Sequence, residues 1–423
     1  MPLYSFFISI HACLIKFASL FFNKAKLWCD GRKNIFHSLE EKCAGKNNII
    51  WIHCASLGEF EQGKPLMEKI KQDKNITLLL TFFSPSGFEV KKNDPVADII
   101  AYLPVDTLKN AKKFIHIVKP QKVFFIKYEF WYNYIHELSK ANIPFYYVSA
   151  IFRENQYFFK GYGKWFLKQL KKCSYFFVQN ENSQKLLNRY GISNVTISGD
   201  TRFDRVYTIA KQDYTLDFII SFKNNKRLLV AGSTWMQDEK LLAKLFQKIN
   251  HSYKLVIVPH IVEKKHVEQM KKTFSSFSSI CFSEKEGKDL LNCQILIIDS
   301  IGLLSKIYKY ADISYIGGAF KTGLHNILEA AVFEKPIFFG PHYQKFNEAV
   351  ELVKSGAAFS VTNANEVAEK LYAFEADLSY YRSICEICKD YVIQNLGASE
   401  RILNIIRQRN EHTTSVAVAI TQF

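Results

Sequence analysis

Short apolar segments alternate with amphipathic segments along almost the whole chain, and this alternation restricts the fold more than any other feature. In the first half, IIWIHCAS (49–56), ITLLLTFF (76–83) and KVFFI (122–126) each precede a segment with helical spacing. In the second half, RLLVAGST (227–234) and ISYI (313–316) do the same. Strands that alternate with helices form parallel sheets, which bind ligands at the carboxyl ends of their strands. The sequence therefore predicts an α/β fold.

A chain of 423 residues is long enough for two domains that each bury a core. We predict a membrane anchor over 1–28, an N-terminal Rossmann-like domain over 29–212 and a C-terminal Rossmann-like domain over 213–423. Two such domains imply a cleft between them. The polar segment at about 207–226 has the composition of a linker. The last helices are expected to pack back on the N-terminal domain.

The segment 3–22, LYSFFISIHACLIKFASLFF, is almost wholly apolar and predicts an N-terminal membrane-anchoring helix. Its length is at the lower limit for crossing a bilayer, and Lys16 is costly at the bilayer centre. A tilted span and a helix that lies in the membrane surface therefore both remain open. Lys24, Lys26, Arg32 and Lys33 follow the segment, and this basic flank favours a cytoplasmic main body.

The formal charge of +16, from 56 Lys and Arg against 40 Asp and Glu, predicts attraction to an anionic partner. A phosphorylated substrate and an acidic membrane surface both fit this charge, while compositional drift toward lysine is the alternative explanation. Nucleic acid is not predicted as a partner, because no aromatic RNA-binding motif and no zinc-finger spacing accompanies the basic residues.

The nine cysteines are spread through apolar segments, which is typical of reduced cytosolic thiols. Cys385 and Cys388 form a lone CxxC pair whose spacing fits one buried face of a helix. We therefore predict no metal site, and nothing in the sequence calls for a cofactor.

The stretch 315–348, from YIGGAF to KFNEA, predicts a strand, a glycine-rich loop, a helix, a strand and a second helix. Gly317, Gly318 and Gly323 allow backbone N–H groups to approach a ligand, and Asn326 with Glu329 fits a capping box at a helix start. A helix N-terminus behind such a loop favours a bound phosphate. An ordinary strand-to-helix turn is the alternative.

Two glutamates lie where strands end. Glu59, in SLGEF, follows the first predicted strand and is placed to accept a proton from a hydroxyl group, although a role as a helix cap is the alternative. Glu129, in KYEFW, follows four apolar residues, so it must face a ligand site or pair with a cation. Glu61 is equally charged and serves as a control.

The segments WIHCASLGEFEQGKPLMEKI, KYEFWYN, SGDTRFDRV, AGSTWMQDE, VPHIVEKKH and GGAFKTGLHNILEAAVFEKPIFFGPHYQKFNEA resemble the 3-deoxy-D-manno-octulosonic acid (Kdo) transferases of lipopolysaccharide synthesis. The resemblance runs from about Lys26 to about residue 405. It implies an inverting, metal-independent GT-B glycosyltransferase that moves Kdo from CMP-Kdo to a lipid A precursor, lipid IVA. The N-terminal domain would then hold the acceptor and the C-terminal domain the donor.

The resemblance also implies roles for individual residues. Glu59 is implied as the general base, Glu129 as a group that stabilises the transition state, and Arg202 as the cation that faces the leaving phosphate, at a position where lysine is expected. The implied CMP contacts lie at Pro259, His260, Ile301, Gly302, Leu303, Asn326, Ile327, Leu328 and Glu329, with arginine expected where His260 stands. Ser233, Gly318 and His325 are further candidates for the donor phosphate.

The implied location is the cytoplasmic face of the bacterial inner membrane, whose lipids are then partners. The aromatic and basic stretch 152–172 suits an acceptor with acyl chains and phosphates, while an amphipathic helix with a solvated basic face is the alternative. Two other functions stay open. One is a GT-B transferase that uses a different nucleotide sugar, and the other is a non-catalytic basic protein that binds membranes or polyanions.

Overall fold

The computed structural model of the protein describes residues 2–249, 252–321 and 323–420. The chain forms two compact units, and the first contains the residues up to Arg205 together with those from Leu396 onward. The second unit runs from Val206 to Asn395. The division thus lies at 205/206, whereas the sequence places it at 212/213. The end of the chain belongs to the first unit.

A parallel sheet forms the centre of the first unit. Within the described residues it has seven strands in the order β3-β2-β1-β4-β5-β6-β7. The strands are β1 (Ile49–Cys54), β2 (Thr77–Phe82), β3 (Ile99–Tyr102), β4 (Lys122–Ile126), β5 (Phe145–Ala150), β6 (Tyr175–Val178) and β7 (Val195–Ile197).

The second unit also contains a parallel sheet, with seven strands in its described part in the order β10-β11-β9-β8-β12-β13-β14. The strands are β8 (Arg227–Thr234), β9 (Tyr253–Pro259), β10 (Ser279–Cys281), β11 (Ile295–Ile297), β12 (Ile313–Ile316), β13 (Ile337–Phe339) and β14 (Ala358–Ser360). The predicted α/β fold with parallel sheets is confirmed.

Helices connect the strands. They are α1 (Pro2–Ala18), α2 (Asn23–Asp30), α3 (Ile35–Cys43), α4 (Leu57–Ile70), α5 (Pro85–Lys91), α6 (Leu108–Val118), α7 (Tyr132–Lys140), α8 (Lys164–Leu170), α9 (Glu181–Arg189), α10 (Arg202–Ala210), α11 (Asp217–Lys223), α12 (Met236–Phe246), α13 (Lys264–Thr273), α14 (Leu304–Ile307), α15 (Leu328–Ala331), α16 (Asn347–Ser355), α17 (Ala364–Ala376), α18 (Leu378–Asn395) and α19 (Ala398–Ile420). Short 3₁₀ turns occupy Tyr157–Phe159, Gly161–Gly163, Phe282–Glu284 and Tyr308–Tyr310.

The strands are apolar on both faces because helices cover both faces of each sheet. In β1, Ile49 and Trp51 point into one hydrophobic core of the first unit. Ile50 and Ile52 point into the core on the opposite face. Successive side chains of a strand alternate in this way between the two faces. The second core also contains Ile402 of α19, so the last helix completes the first unit.

Three features differ from the sequence prediction. The edge strand β10 was not predicted, since a strand of only three residues next to the serine-rich stretch 275–279 carries little strand signal. The segment 207–226, predicted as a linker, contains the end of α10 and all of α11. The helix after the glycine-rich loop, α15, has only four residues and begins at Leu328.

The predicted anchor segment forms α1, whose first turns contact the first unit. The Tyr4 hydroxyl donates to Asp106 Oδ2 at 2.8 Å, and the Tyr4 ring packs against Tyr132 and Trp165. Large apolar side chains elsewhere on the segment are exposed, namely Phe6, Phe7, Ile10, Leu14, Phe17, Leu20, Phe21 and Phe22. None of the helices in the described part of the chain has the length and apolar composition needed to cross a membrane.

Candidate active site

The first sheet reverses its strand order between β1 and β4, which are neighbours in the sheet. The chain proceeds from β1 toward one edge of the sheet, through β2 to β3, and from β4 toward the other edge. Ligands of such sheets bind at this reversal, outside the carboxyl ends of the two strands. Glu59 follows β1 and Glu129 follows β4, so the fold brings the two predicted glutamates to the same place.

Glu59 is the third residue of α4, where it closes a capping box with Ser56. Its Oε2 accepts the backbone N–H of Ser56 at 2.9 Å and the Ser56 hydroxyl at 3.3 Å. Glu59 therefore does cap α4, which was the alternative interpretation of this residue. The carboxylate can still make other hydrogen bonds, because each of its oxygens has two lone pairs, and Glu59 also hydrogen-bonds to Glu129.

Glu129 is 8% exposed and lies three residues beyond β4, after Lys127, whose φ of 68° is left-handed. Its Oε2 accepts the indole N–H of Trp131 at 2.7 Å and lies 3.3 Å from His53 Nε2. Glu129 also hydrogen-bonds to Glu59. The pKa of each carboxyl group is raised to about 7, chiefly by burial, and the neighbouring Glu129 charge contributes to the shift of Glu59.

His53 is a site residue that the sequence reasoning missed. Its side chain projects from β1 and is fully buried, with Nδ1 2.9 Å from the Thr81 hydroxyl, which also accepts the Trp51 indole N–H at 2.7 Å. Burial lowers the pKa of His53 to about 3. The available signal was a lone histidine within the otherwise apolar run IIWIHC, because a buried polar group needs partners.

Arg202 begins α10 and pairs with Asp200. The guanidinium Nε donates to Asp200 Oδ2 at 2.8 Å, and a second nitrogen lies 2.7 Å from the same oxygen. Asp200 also accepts the side-chain amide of Gln62 at 2.8 Å. Gln62 and Glu59 are three residues apart on α4, so this network links Arg202 to the helix that bears the candidate base.

Glu61, the control, has different surroundings. Its carboxylate lies 2.8 Å from Arg205 Nε and 3.3 Å from Lys91 Nζ. It is therefore held in ion pairs on the half-exposed side of α4.

In the second unit, the strand order reverses between β8 and β12, which are again neighbours. Ser233 near the end of β8 has a left-handed φ of 53°. A Cβ atom at Gly317, directly after β12, would lie 2.3 Å from the Ser233 carbonyl oxygen. Glycine is thus required there by the close approach of the two backbones. Ser233, Gly318 and His325 all belong to segments that follow or end these two strands.

Three rings stack beside this reversal. The Trp235 and His260 rings are 5.0 Å apart, and the His260 and His325 rings are 4.2 Å apart at 22°. The Trp235 indole N–H donates to His325 Nε2 at 3.0 Å. Burial and the neighbouring His260 lower the pKa of His325 to about 4, so the stacked pair is neutral at pH 7. Trp235 was not among the predicted site residues.

Asp238 fixes the glycine-rich loop. Its Oδ2 accepts the backbone N–H of Gly318 at 3.0 Å and that of Trp235 at 2.9 Å, while Oδ1 accepts the Tyr315 hydroxyl. The Gly318 N–H, predicted to face a phosphate, therefore already donates to a carboxylate. Its contribution is structural in this state, and Asp238 is a residue that the sequence reasoning missed.

The predicted CMP contacts differ in accessibility. Ile327 and Leu328 are buried in the core, so only their backbone groups are candidates for ligand contact. Asn326 Nδ2 donates to Glu329 Oε1 at 2.9 Å, and Asn326 Oδ1 accepts the Leu328 N–H, as a partner of the helix start and not as its N-cap.

The other contacts lie after β9 and β11. Pro259 is the last residue of β9, and His260 follows it on the exposed side. In the loop after β11, Ile301 is 90% exposed, Gly302 has a left-handed φ of 91°, and Leu303 is half-buried. An apolar side chain as exposed as Ile301 gains stability when a ligand covers it.

Known proteins resemble this chain over much of its length. A family model described as 3-deoxy-D-manno-octulosonic-acid transferase (kdotransferase) matches residues 31–205, a range that includes Glu59, Glu129 and Arg202. The chain is 28% identical over 338 residues to a 3-deoxy-D-manno-octulosonic acid transferase from Aquifex aeolicus, and this match covers 78% of the chain and 86% of the relative.

A second relative is a bifunctional glycosyltransferase/methyltransferase from Fusobacterium nucleatum, 26% identical over 380 residues. The match covers 85% of this chain but only 57% of that protein, so the chain spans little more than half of its length. A UDP-GlcNAc 2-epimerase from Neisseria meningitidis, solved with UDP-GlcNAc, superposes with a TM-score of 0.60 at 14% identity, covering 85% of this chain and 99% of the other. This last likeness shows the fold alone. The family match over residues 31–205 and the curated relatives support a 3-deoxy-D-manno-octulosonic acid transferase, and they indicate that the chain is a glycosyltransferase.

Proposed function

We propose that this protein is a GT-B enzyme that transfers Kdo from CMP-Kdo to a lipid A precursor, lipid IVA, with inversion and without a metal, and that Glu59 is the general base. The observation that carries the proposal is the buried carboxyl pair Glu59 and Glu129 at the strand reversal of the first sheet. A pKa of about 7 lets Glu59 be ionised in a large fraction of molecules at neutral pH and still accept a proton.

In the proposed reaction, the acceptor oxygen forms a bond to the anomeric carbon of Kdo while the bond from that carbon to the phosphate oxygen breaks. The acceptor hydroxyl proton passes to Glu59, and CMP leaves with the electron pair of the broken bond. Attack on the side opposite the leaving group inverts the anomeric centre. The Arg202 guanidinium is proposed to stabilise the charge that develops on the phosphate.

The donor is proposed to bind at the strand reversal of the second sheet. The proposal is supported by the open loop that contains Ile301 and by the ring stack that contains His260 and His325. His260 and His325 are neutral before the donor arrives, so a phosphate group that approaches them favours protonation of one ring. A histidine cation would then replace the arginine that the family resemblance leads us to expect.

The acceptor is proposed to reach the first unit from the inner membrane, at its cytoplasmic face. This proposal is supported by the exposed apolar side chains of α1 and by Trp165, which packs against Tyr4 and is itself 41% exposed. Lys164 and Lys168 flank Trp165 on α8 and suit the phosphates of a lipid. We propose on this basis that α1 lies in the membrane surface with Phe6, Phe17 and their neighbours among the lipids.

The test is transfer from CMP-Kdo, generated in situ, to tetraacylated lipid A precursor in detergent with EDTA present, with products resolved by mass. A product that is heavier by one or more Kdo units with wild type, and absent with Glu59→Gln, is expected. Transfer that requires an added metal contradicts the proposed mechanism. Binding of UDP or GDP in preference to CMP would point instead to a transferase that uses another nucleotide sugar.

A further inference from the structure

A buried nitrogen in the candidate active site has no matching partner. His53 is fully buried, and its Nδ1 is engaged with Thr81, but Nε2 makes no hydrogen bond of acceptable geometry with the described residues. Glu129 Oε2 lies 3.3 Å from Nε2. A buried polar group without a partner is costly, so the protonation of this pair of groups decides whether the arrangement is stable.

Two protonation states are available to the pair. In the first, Nε2 carries a proton and donates it toward an ionised Glu129. In the second, the imidazole is neutral with its proton on Nδ1, directed toward Thr81, and a protonated Glu129 donates to Nε2. The second state gives Nε2 a donor, places no charge on either buried group and leaves the Trp131 N–H bonded to Glu129.

Burial is the strongest influence on His53 and favours the neutral ring. The charge of Arg32 also disfavours an imidazolium, whereas the charge of Glu59 favours one. Cys54 and Tyr147 both lie near Glu129, and burial raises the pKa of each, so both stay neutral. Glu59 and Glu129 hydrogen-bond to each other, so the two carboxyl groups compete for one proton.

We propose that His53 is a positioning residue that holds the shared proton of the carboxyl pair on Glu129, through a hydrogen bond from Glu129 Oε2 to His53 Nε2, and so leaves Glu59 as the ionised base. The inference rests on the proposed role of Glu59 and extends it. Two neighbouring carboxyl groups that share one proton titrate as a pair, and their other contacts decide which group carries the proton. His53 favours a proton on Glu129, because its Nε2 lies 3.3 Å from Glu129 Oε2.

The test is the pH profile of kcat/KM for transfer in wild type, His53→Phe and His53→Gln. Phenylalanine removes the acceptor, so Glu59 carries the shared proton in a larger fraction of the molecules. The acidic limb of the profile should therefore move to higher pH by about half a pH unit or more. Glutamine offers an amide oxygen as acceptor and should restore the limb toward the wild-type position. A loss of activity that is the same at every pH in both variants, or an acidic limb that moves to lower pH in His53→Phe, overturns the proposal.

A second measurement does not depend on activity. Difference infrared spectra of the full chain at neutral pH, wild type minus Glu129→Gln, should show the C=O stretch of a protonated carboxylic acid, shifted in His53→Phe. Its absence from the difference spectrum of the folded proteins overturns the proposal. If Glu59→Gln keeps full transfer activity while this band is present, the proposed base is wrong but the protonated Glu129 stands.

Discussion

At the scale of single residues, Glu59 has two partners that serve different purposes. The Ser56 backbone fixes the carboxylate at the start of α4, and Glu129 raises its pKa toward the working pH. We predict that Glu59→Gln lowers kcat by about 10²–10⁴-fold, because glutamine keeps the cap acceptor but accepts no proton. The measurement is the initial rate of Kdo transfer at pH 8.

The matched control for this substitution is Glu61→Gln on the same helix. It breaks the ion pairs with Arg205 and Lys91, so the free energy of unfolding should change by no more than about 1 kcal/mol, while kcat should stay near the wild-type value. Loss of transfer in Glu61→Gln together with normal transfer in Glu59→Gln would reverse the assignment of the base.

We predict that the Glu129 side chain destabilises the folded state when it is ionised. Its folded pKa of about 7 lies above the value of 4.5 for a free glutamate. The folded state therefore binds more protons than the unfolded state between about pH 4.5 and 7, and the contribution of Glu129 to stability is lost as the pH rises through this window. Glu129→Gln should raise the free energy of unfolding by about 1–3 kcal/mol at pH 8 and by much less at pH 4.5.

Urea unfolding of both proteins at the two pH values measures this difference. His53 contributes a slope of the opposite sign, because its pKa of about 3 lies below the ordinary 6.5 and its contribution is lost as the pH falls below that value. At pH 8 His53 is neutral in the folded and unfolded states of both proteins, so the comparison at that pH does not involve its titration. A Glu129→Gln variant that is less stable than wild type at pH 8 would show that the carboxylate is paired and not merely buried.

The sequence was most informative about these acidic residues and least about their partners. Glu129 was singled out because a charge after four apolar residues is costly to bury unpaired, and the role of Glu59 as a base was implied by the family resemblance. His53 was missed because a histidine inside a buried strand has no spacing that distinguishes a site residue from a core residue. Asp238 was missed for a related reason, since its partners Gly318 and Tyr315 come from a distant part of the chain and meet it only in the folded sheet.

At the scale of elements, the reversal between β8 and β12 depends on one glycine. A Cβ atom at Gly317 would lie 2.3 Å from the Ser233 carbonyl oxygen and 2.6 Å from the Thr234 Cα, and both are backbone atoms that cannot rotate away. We predict that Gly317→Ala lowers the free energy of unfolding by about 1–3 kcal/mol and weakens CMP binding. Gly161→Ala, where a Cβ meets nothing within 4 Å, is the control in the same unfolding measurement.

The helix α1 gives a second prediction for an element. We expect Phe6→Ser with Phe17→Ser to reduce binding to vesicles of anionic phospholipid by about tenfold or more, because each ring contributes about 1.5–3 kcal/mol when it leaves water. Vesicle sedimentation measures this loss. Val90→Ser on α5 is the control, since Val90 is 63% exposed and Phe6 59%, yet Val90 lies outside α1. Equal losses in both variants would show that α1 has no special part in membrane binding.

Secondary structure followed from the sequence wherever the apolar runs were long. Every strand that borders a strand reversal was predicted, because strands buried on both faces need continuous apolar residues. The short elements were not predicted. The strand β10 has three residues at a sheet edge, and α11 lies in a polar segment whose two buried residues, Ile219 and Phe222, are too few to set a helical period.

At the scale of the whole molecule, the first unit is built from both ends of the chain. Ile402 and Ile406 of α19 lie in the core that covers one face of the first sheet. We predict that Ile402→Ala lowers the free energy of unfolding by about 2–5 kcal/mol, although the residue lies far along the chain from β1. Ile393→Ala on α18, where the side chain is 51% exposed, should change it little. Urea unfolding followed by tryptophan fluorescence compares the two.

Because α19 follows the second unit in the sequence, the first unit can be completed only after the second unit has been synthesised. All seven strands of the first sheet precede residue 205, but the helix that closes one face of that sheet begins at Ala398. At about 5–20 residues per second, the ribosome needs roughly 10–40 s to make the intervening unit. During that interval the nascent first unit exposes the apolar side chains that Ile402 and Ile406 later cover.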